Sequence, residues 1–199
     1  MRYEEFVKKT IEEFIEGGVI DPKDFPDMEL YMDQTVLFLD KKLGIYKRDP
    51  KEPVMTKTMI ANYVKHDMIP RPQNKRYKKE HLLLLALIFH LKGVFQMQDI
   101  EKLMEPLTDN YKSEFDEKFD FARIYQGICE VFDEKKEELA HEVDAEMGAI
   151  KDKLAQYEFA DDDTTELFML IAVLSMKADA QKYLAQKLLS EYFTKPKKK

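Results

Sequence analysis

Residues that could contact a polyanion are concentrated in one short part of this acidic chain. The 199-residue sequence has a formal net charge of −7. Between residues 56 and 82, however, seven lysine or arginine side chains stand against only two acidic ones, Asp67 and Glu80. A basic surface on an otherwise acidic protein attracts polyanions to that surface alone. The segment therefore predicts a nucleic-acid contact.

The first part of this segment, Thr56–Lys65, is predicted to form a short helix with an outer face suited to DNA. Ile60, Tyr63 and Val64 make an apolar stripe at helical spacing, and Thr56 is the predicted N-cap. An asparagine such as Asn62 can make two hydrogen bonds to adenine in the major groove. The side chains expected to approach bases are Thr58, Asn62 and Lys65, with Ala61 leaving room for close approach.

Two prolines, Pro70 and Pro72, end this helix and favour extended backbone after it. Residues 71–77 read RPQNKRY and predict a tight loop. A short helix followed by a basic loop is the layout of a recognition helix and a wing. The side chains expected to hold phosphates or enter a minor groove are Lys57, Arg71, Lys75, Arg76 and Lys78.

The elements that must position these residues are predicted to be mainly helical. The chain has only 6 Gly and 8 Pro, too few turn residues for a sandwich or barrel. Apolar positions recur at helical spacing from Ile128 to Leu154, with Gly127 and Gly148 as candidate kink points. The other predicted helices are one that stops at Gly17–Gly18, then Glu29–Leu43, Glu80–Gly93, Gln96–Met104 closed by Pro106, and Thr164–Phe193.

We divide the chain at residue 108. Residues 1–108 would hold the N-terminal helices and the DNA-binding module. Residues 109–199 would form a helical C-terminal region for dimerisation or regulation, with a disordered tail at 194–199. Three interpretations of the C-terminal helices remain open: packing on the first module or on a second subunit, a purely structural role, and a ligand pocket. The pocket would be lined by Tyr125, Phe132, Phe168 and Met169.

No catalytic or metal-binding arrangement is predicted. None of the four histidines has another at i+3 or i+4, and the single Cys129 has no second cysteine. The sequence has no glycine-rich phosphate loop and no serine nucleophile motif. The acidic run at residues 160–166 is interpreted as a helix start rather than a cation site. We therefore expect no enzyme, no cofactor and no metal.

The sequence also favours a cytoplasmic, nucleoid-associated protein. The charged segment Met1–Thr10 does not predict a secretory signal. The apolar runs Leu82–Phe89 and Leu167–Leu174 are too short to cross a bilayer, which needs about 20 residues. A single cysteine fits a reducing compartment.

Residues 60–104 resemble the winged helix-turn-helix of MerR-type transcription regulators. Ile60, Tyr63 and residues 68–70 match the helix and turn of that family, and Tyr77 matches the closing tyrosine of its wing. Glu80–Met104 matches the helix pair that follows, including Gly93 and Ile100. The chain departs from the family pattern where Ala61 replaces a helix arginine, Asp67 a turn glycine and Lys75 a wing arginine. We expect Asp67 to adopt the left-handed backbone of the turn in place of the glycine.

A closer resemblance is to a bacterial family, domain of unknown function 1836. It is carried by PDMELYMDQ (Pro26–Gln34), TKTMIANYVK and IPRPQNKRYKKEHL. The MerR resemblance implies a transcriptional regulator that binds double-stranded DNA as a homodimer through the helix at Ile128–Leu154. A small-molecule effector is a further expectation. The alternative is a non-enzymatic interaction module that uses the same fold to bind an acidic protein.

Overall fold

A computed structural model describes residues 3–109, 121–157 and 163–193. These residues are mainly helical, as predicted, and include one two-stranded antiparallel sheet. Short 3₁₀ turns lie at Pro22–Asp24 and Gly44–Tyr46. The elements are α1 (Tyr3–Gly17), β1 (Leu30–Tyr31), α2 (Met32–Lys42), α3 (Lys57–Lys65), β2 (Arg76–Tyr77), α4 (Lys79–Leu91), α5 (Met97–Asp109), α6 (Phe121–Gln156) and α7 (Asp163–Tyr192).

The small sheet ties the start of α2 to the start of α4. Leu30 pairs with Tyr77, and Tyr31 pairs with Arg76. Successive strand residues alternate between faces, so Leu30 and Tyr77 are buried while Tyr31 and Arg76 face solvent. The helix predicted from Glu29 begins at Met32 instead, because Tyr31 is extended and its N–H donates to the Gln34 side chain at 2.8 Å.

Helix α4 lies at the centre of the first hydrophobic core. Its residues 81–86 are buried in succession, and α2, α6 and β2 pack around it. From α6 the core takes Phe121, Tyr125 and Cys129, and the Tyr125 hydroxyl donates to the Ile20 carbonyl at 2.9 Å. The core thus continues past residue 108, where we divided the chain. The division into two regions remains a prediction.

A second core joins the end of α6 to the start of α7 and to α1. Its buried residues are Val143, Met147, Ile150, Leu154 and Leu170. The Tyr3 hydroxyl donates to the buried Glu166 carboxylate at the same place. Much of the stripe expected to form a dimer interface therefore packs within one chain, although Ile128 and Val131 of α6 remain exposed.

One detail of the helix predictions changes. The prediction that Pro106 closes α5 was wrong, since Pro106 lies inside that helix. Proline fixes φ near a helical value, so a helix can continue past it after losing one hydrogen bond. Helix α6 runs without interruption through Gly127 and Gly148. The tail at 194–199 and the first three residues of the acidic run at 160–166 lie outside the described residues, and α7 begins within that run, at Asp163.

Candidate nucleic-acid interface

Helix α3 presents the predicted recognition face to solvent. The Thr56 hydroxyl caps the helix by accepting from Met59 N at 3.2 Å, which confirms the predicted N-cap. Ile60 and Tyr63 are buried and fix the rotation of the helix about its axis. The side chains exposed on the other face are Lys57, Thr58, Ala61, Asn62 and Lys65.

Asp67 ends α3 in left-handed backbone, with φ of 53°. Its N–H donates to the Val64 carbonyl at 3.2 Å, and Met68 N donates to the Tyr63 carbonyl at 2.9 Å. These two bonds form a Schellman cap, whose left-handed position is usually glycine. Aspartate tolerates that conformation better than most residues. The prediction that Asp67 could replace the turn glycine is therefore confirmed.

The basic loop is a tight hairpin with Lys75 at its tip. Gln73 and Arg76 form an antiparallel bridge, and Arg76 N donates to the Gln73 carbonyl at 2.9 Å. Asn74 and Lys75 have φ of 50° and 61°, the pattern of a type I′ turn. Left-handed backbone costs an ordinary residue roughly 1 kcal/mol or more. Lys75 thus occupies a position where glycine would be less strained.

Arg76 lies at the base of the hairpin and remains accessible. Its guanidinium lies 5.4 Å from the centroid of the Tyr31 ring, and its Nη1 lies 3.7 Å from a carboxylate oxygen of Glu29. Half of the side-chain surface is exposed, at 50%. Lys75 is also exposed. Neither cation is therefore held in a buried intramolecular ion pair.

The start of α3 and the base of the hairpin flank one short segment, Glu29–Asp33. Lys57 of α3 pairs with Asp33, while Arg76 contacts Tyr31 and Glu29. Because both elements contact residues a few positions apart, the start of α3 and the base of the hairpin lie near each other. Sequence reasoning predicted the helix and the basic loop but missed the sheet at the base of that loop, because two-residue strands have no periodicity to detect.

Acidic side chains outside the basic segment offset part of its charge. Asp33 pairs with Lys57, Glu29 approaches Arg76, and Asp27 pairs with Lys79 at 3.0 Å. Exposed ion pairs of this kind contribute at most about 1 kcal/mol, so a polyanion can replace them. Among the described residues, the cations with no carboxylate partner in this region are Lys65, Arg71, Lys75 and Lys78.

Buried aromatic groups fix the hairpin to α4. Tyr77 packs edge-on against His81, with 5.7 Å between ring centroids. Burial raises the pKa of Tyr77 and lowers the pKa of His81. The neutral His81 ring accepts a hydrogen bond from Lys78 N through Nδ1 at 3.0 Å. The backbone that carries Lys78 is therefore held in place.

Other sites considered from the sequence are not assembled in the described part of the chain. Within residues 3–109, 121–157 and 163–193, no three histidine, cysteine or acidic side chains are placed to hold a metal ion. None of the described helices is both long and apolar enough to span a membrane. The four pocket residues lie apart: Tyr125 is in the first core, Met169 packs on the second, Phe132 packs against Phe14, and Phe168 is 73% exposed.

No curated protein and no solved structure matches the chain. A family model described as a domain of unknown function, DUF1836, matches residues 20–128. The matched range is more than half of the chain, and it contains the sheet, the exposed face of α3 and the hairpin. This chain therefore belongs to the DUF1836 family.

Proposed function

We propose that this protein is a DNA-binding transcriptional regulator whose residues 30–77 act as a MerR-type winged helix-turn-helix. Helices α2 and α3 would form the helix-turn-helix, and the Gln73–Arg76 hairpin would be the wing. The observation that carries the proposal is the strained lysine at the tip of a hairpin whose base lies near the start of α3. Backbone strain kept at an exposed basic residue indicates a role for its charge.

In this proposal α3 enters the major groove, which is wide enough for an α-helix. Thr58, Asn62 and Lys65 approach base edges, and the small Ala61 lets the helix come close. The Thr56 cap and the buried Ile60 and Tyr63 hold these side chains on a rigid element. Asn62 is the best candidate for a bidentate contact to adenine.

The remaining cations would position the protein on the backbone of the duplex. Lys57, Arg71 and Lys78 would contact phosphates beside α3, and Lys75 and Arg76 would reach a phosphate or minor groove from the wing. Contacts of this kind fix register but carry little sequence information. Because each neutralised phosphate releases counterions, affinity should fall steeply with salt.

We further propose that the protein acts as a homodimer on pseudo-palindromic DNA, as helix-turn-helix proteins commonly do. The second core occupies the apolar residues of α6 from Val143 to Leu154. The dimer contact would therefore use exposed apolar side chains outside that core. These include Ile128 and Val131 of α6 and Leu184, Leu188 and Tyr192 of α7.

The test starts by selecting genomic fragments that bind the purified protein. Fluorescence polarization then compares a selected duplex with a scrambled one across a salt series. We expect Asn62→Ala to weaken binding to the selected duplex by about 10- to 100-fold, the cost of one good base contact. Exposed Gln156→Ala, at the far end of α6, is the matched control and should bind normally.

Two outcomes would contradict this proposal. Folded protein that binds neither duplex would exclude a DNA-binding function. Capture of acidic proteins by the same surface, in that case, would favour the interaction module. Equal binding to selected and scrambled duplexes would exclude sequence-specific recognition by α3.

A further inference from the structure

The connector between α2 and α3 covers an open cleft against the end of α4. The cleft has a volume of about 620 Å³, within the usual range for small-molecule sites. Its lining includes no residue of α3 but reaches Val54, two residues before the N-cap Thr56. Its lining includes Tyr46, Arg48, Val54, Phe89, His90 and Lys92.

Two side chains from the surrounding helices fix the connector at a single residue, Val54. Asp40 of α2 accepts from Val54 N at 3.1 Å, and Lys92 at the end of α4 donates to the Val54 carbonyl at 2.8 Å. The other oxygen of Asp40 accepts from Lys47 at 2.6 Å. Val54 stands close before Thr56, the N-cap of α3. Lys92 therefore holds the backbone two residues before that N-cap.

Lys92 is a cation without a counter-ion. In the part of the chain that the structure describes, its ammonium contacts only the Val54 carbonyl and the face of Phe89, 4.5 Å from the ring centroid. Burial lowers its pKa, as expected where no carboxylate offsets desolvation. The exposed Arg48 on the rim of the cleft also has no carboxylate partner there.

The walls of the cleft are aromatic. The Tyr46 ring lies 5.1 Å from Phe89 and 5.7 Å from His90, centroid to centroid, with edge-on geometry. Burial lowers the pKa of His90, so its ring is neutral and behaves as an aromatic surface. Asp49 and Glu52 also line the cleft. With these two carboxylates nearby, a ligand with one negative charge fits better than one with several.

We propose that this cleft binds a small aromatic monocarboxylate. The carboxylate binds the Lys92 ammonium and Arg48, and the ring packs against Tyr46, Phe89 and His90. Binding draws Lys92 away from the Val54 carbonyl and shifts the N-terminus of α3. This last step rests on the proposed function, because only a DNA-binding α3 would make the ligand an effector.

The binding step is tested on the full chain by NMR. The backbone amide spectrum is recorded during titration with benzoate, phenylacetate and indole-3-acetate, and with the uncharged amide of each acid. We expect saturable shifts at Tyr46, Val54 and His90 for at least one acid, with affinity roughly tenfold or more above its amide. Equal shifts from acids and amides, or no saturable shifts at these amides, would overturn the proposal.

Variants separate a specific site from a general charge effect. Lys92→Met should abolish the shifts, while Lys153→Met at the far end of α6 should leave them unchanged. Because Lys92→Met also removes a contact of the connector, Arg48→Gln provides a second variant at an exposed side chain. It should weaken binding severalfold in a folded protein. Normal binding by Arg48→Gln and Lys92→Met together would place the ligand elsewhere.

A DNA measurement distinguishes the two proposals. If an acid binds the cleft and changes the affinity for a selected duplex, both stand. If the acid binds and no duplex binds, the ligand site stands and the proposed function fails. If DNA binds and no acid binds, the proposed function stands alone. Acid binding that leaves DNA affinity unchanged would overturn the coupling through Val54.

Discussion

A substitution at Lys75 should change stability and DNA binding in opposite directions. Its left-handed φ of 61° favours glycine, while its charge at the hairpin tip favours a polyanion. We expect Lys75→Gly to raise the free energy of unfolding by about 1 kcal/mol, since the strain is removed. The same change should weaken DNA binding and reduce the steepness of the log–log salt dependence by about 1. Urea denaturation and fluorescence polarization measure the two effects.

The neighbouring Asn74 supplies the control for this prediction. It has a similar φ of 50° in the same turn but carries no charge. Asn74→Gly should therefore change stability without changing the salt dependence of DNA binding. If Lys75→Gly bound DNA as tightly as Asn74→Gly, the lysine charge would have no part in recognition.

Asp33 is an acidic residue that should oppose DNA binding. Its exposed carboxylate pairs with Lys57 beside the recognition face. Asp33→Asn should release Lys57, remove a negative charge and strengthen binding severalfold at low salt. Stability should change by less than about 1 kcal/mol, because the ion pair is exposed and the charge also favours the N-terminus of α2.

Exposed Asp152→Asn, on the distant end of α6, changes the net charge equally and is the comparison for Asp33→Asn. Polarization at two salt concentrations separates the local effect from the global one. Similar affinities for the two variants would show that only net charge matters.

At the level of elements, the turn after α1 depends on the absence of a side chain at Gly18. Gly18 N donates to the Phe14 carbonyl at 2.7 Å. A Cβ there would lie 2.6 Å from that carbonyl oxygen and 2.9 Å from the Phe14 ring. Gly18→Ala should therefore destabilise the protein by about 1–3 kcal/mol, the usual cost of overpacking. Urea denaturation measures the change.

Gly17 is a close control for this substitution. A Cβ at Gly17 would meet Ile45 Cγ2 at 3.4 Å, an ordinary contact, and Gly17 is the last residue of α1. Gly17→Ala should be neutral or stabilising by up to about 1 kcal/mol. A larger loss for Gly17→Ala than for Gly18→Ala would contradict the packing seen after α1.

The helices could be predicted from the sequence because apolar spacing is a local signal. The Thr56 cap and the buried Ile60 and Tyr63 follow from that spacing, and the left-handed Asp67 follows from turn chemistry. The pairing of β1 with β2 could not be predicted in this way, because it joins two-residue segments far apart in the chain. The type I′ turn could not be predicted either, since lysine occupies the position where such turns usually have glycine.

At the scale of the whole molecule, the structure adds what a local charge count omits. The acidic partners of Lys57, Arg76 and Lys79 come from residues 27–33, which precede the basic segment in sequence. The cleft beside Val54 combines residues of the connector with the end of α4. Both features depend on tertiary packing around α4, so neither was accessible to sequence reasoning alone.

The same packing around α4 predicts how stability depends on pH. Burial lowers the pKa of both His81 and His90, so the folded protein resists their protonation. The unfolded chain, with histidine pKa values near 6.5, then binds more protons than the folded chain below that pH. The free energy of unfolding should be level near pH 7.5 and fall as the pH drops through about 6.5. Urea denaturation at several pH values measures this fall.

Two histidine variants identify the source of the pH dependence. His90→Gln should make the fall between about pH 7.5 and pH 5.5 shallower, because one of the two buried groups no longer titrates. Exposed His141→Gln should leave it unchanged. Hydrogen bonding from Lys47 lowers the pKa of Asp40, so that carboxylate adds a further loss only below about pH 4. A fall as steep in His90→Gln as in the unmodified chain would mean that His90 is accessible to protons in the folded protein.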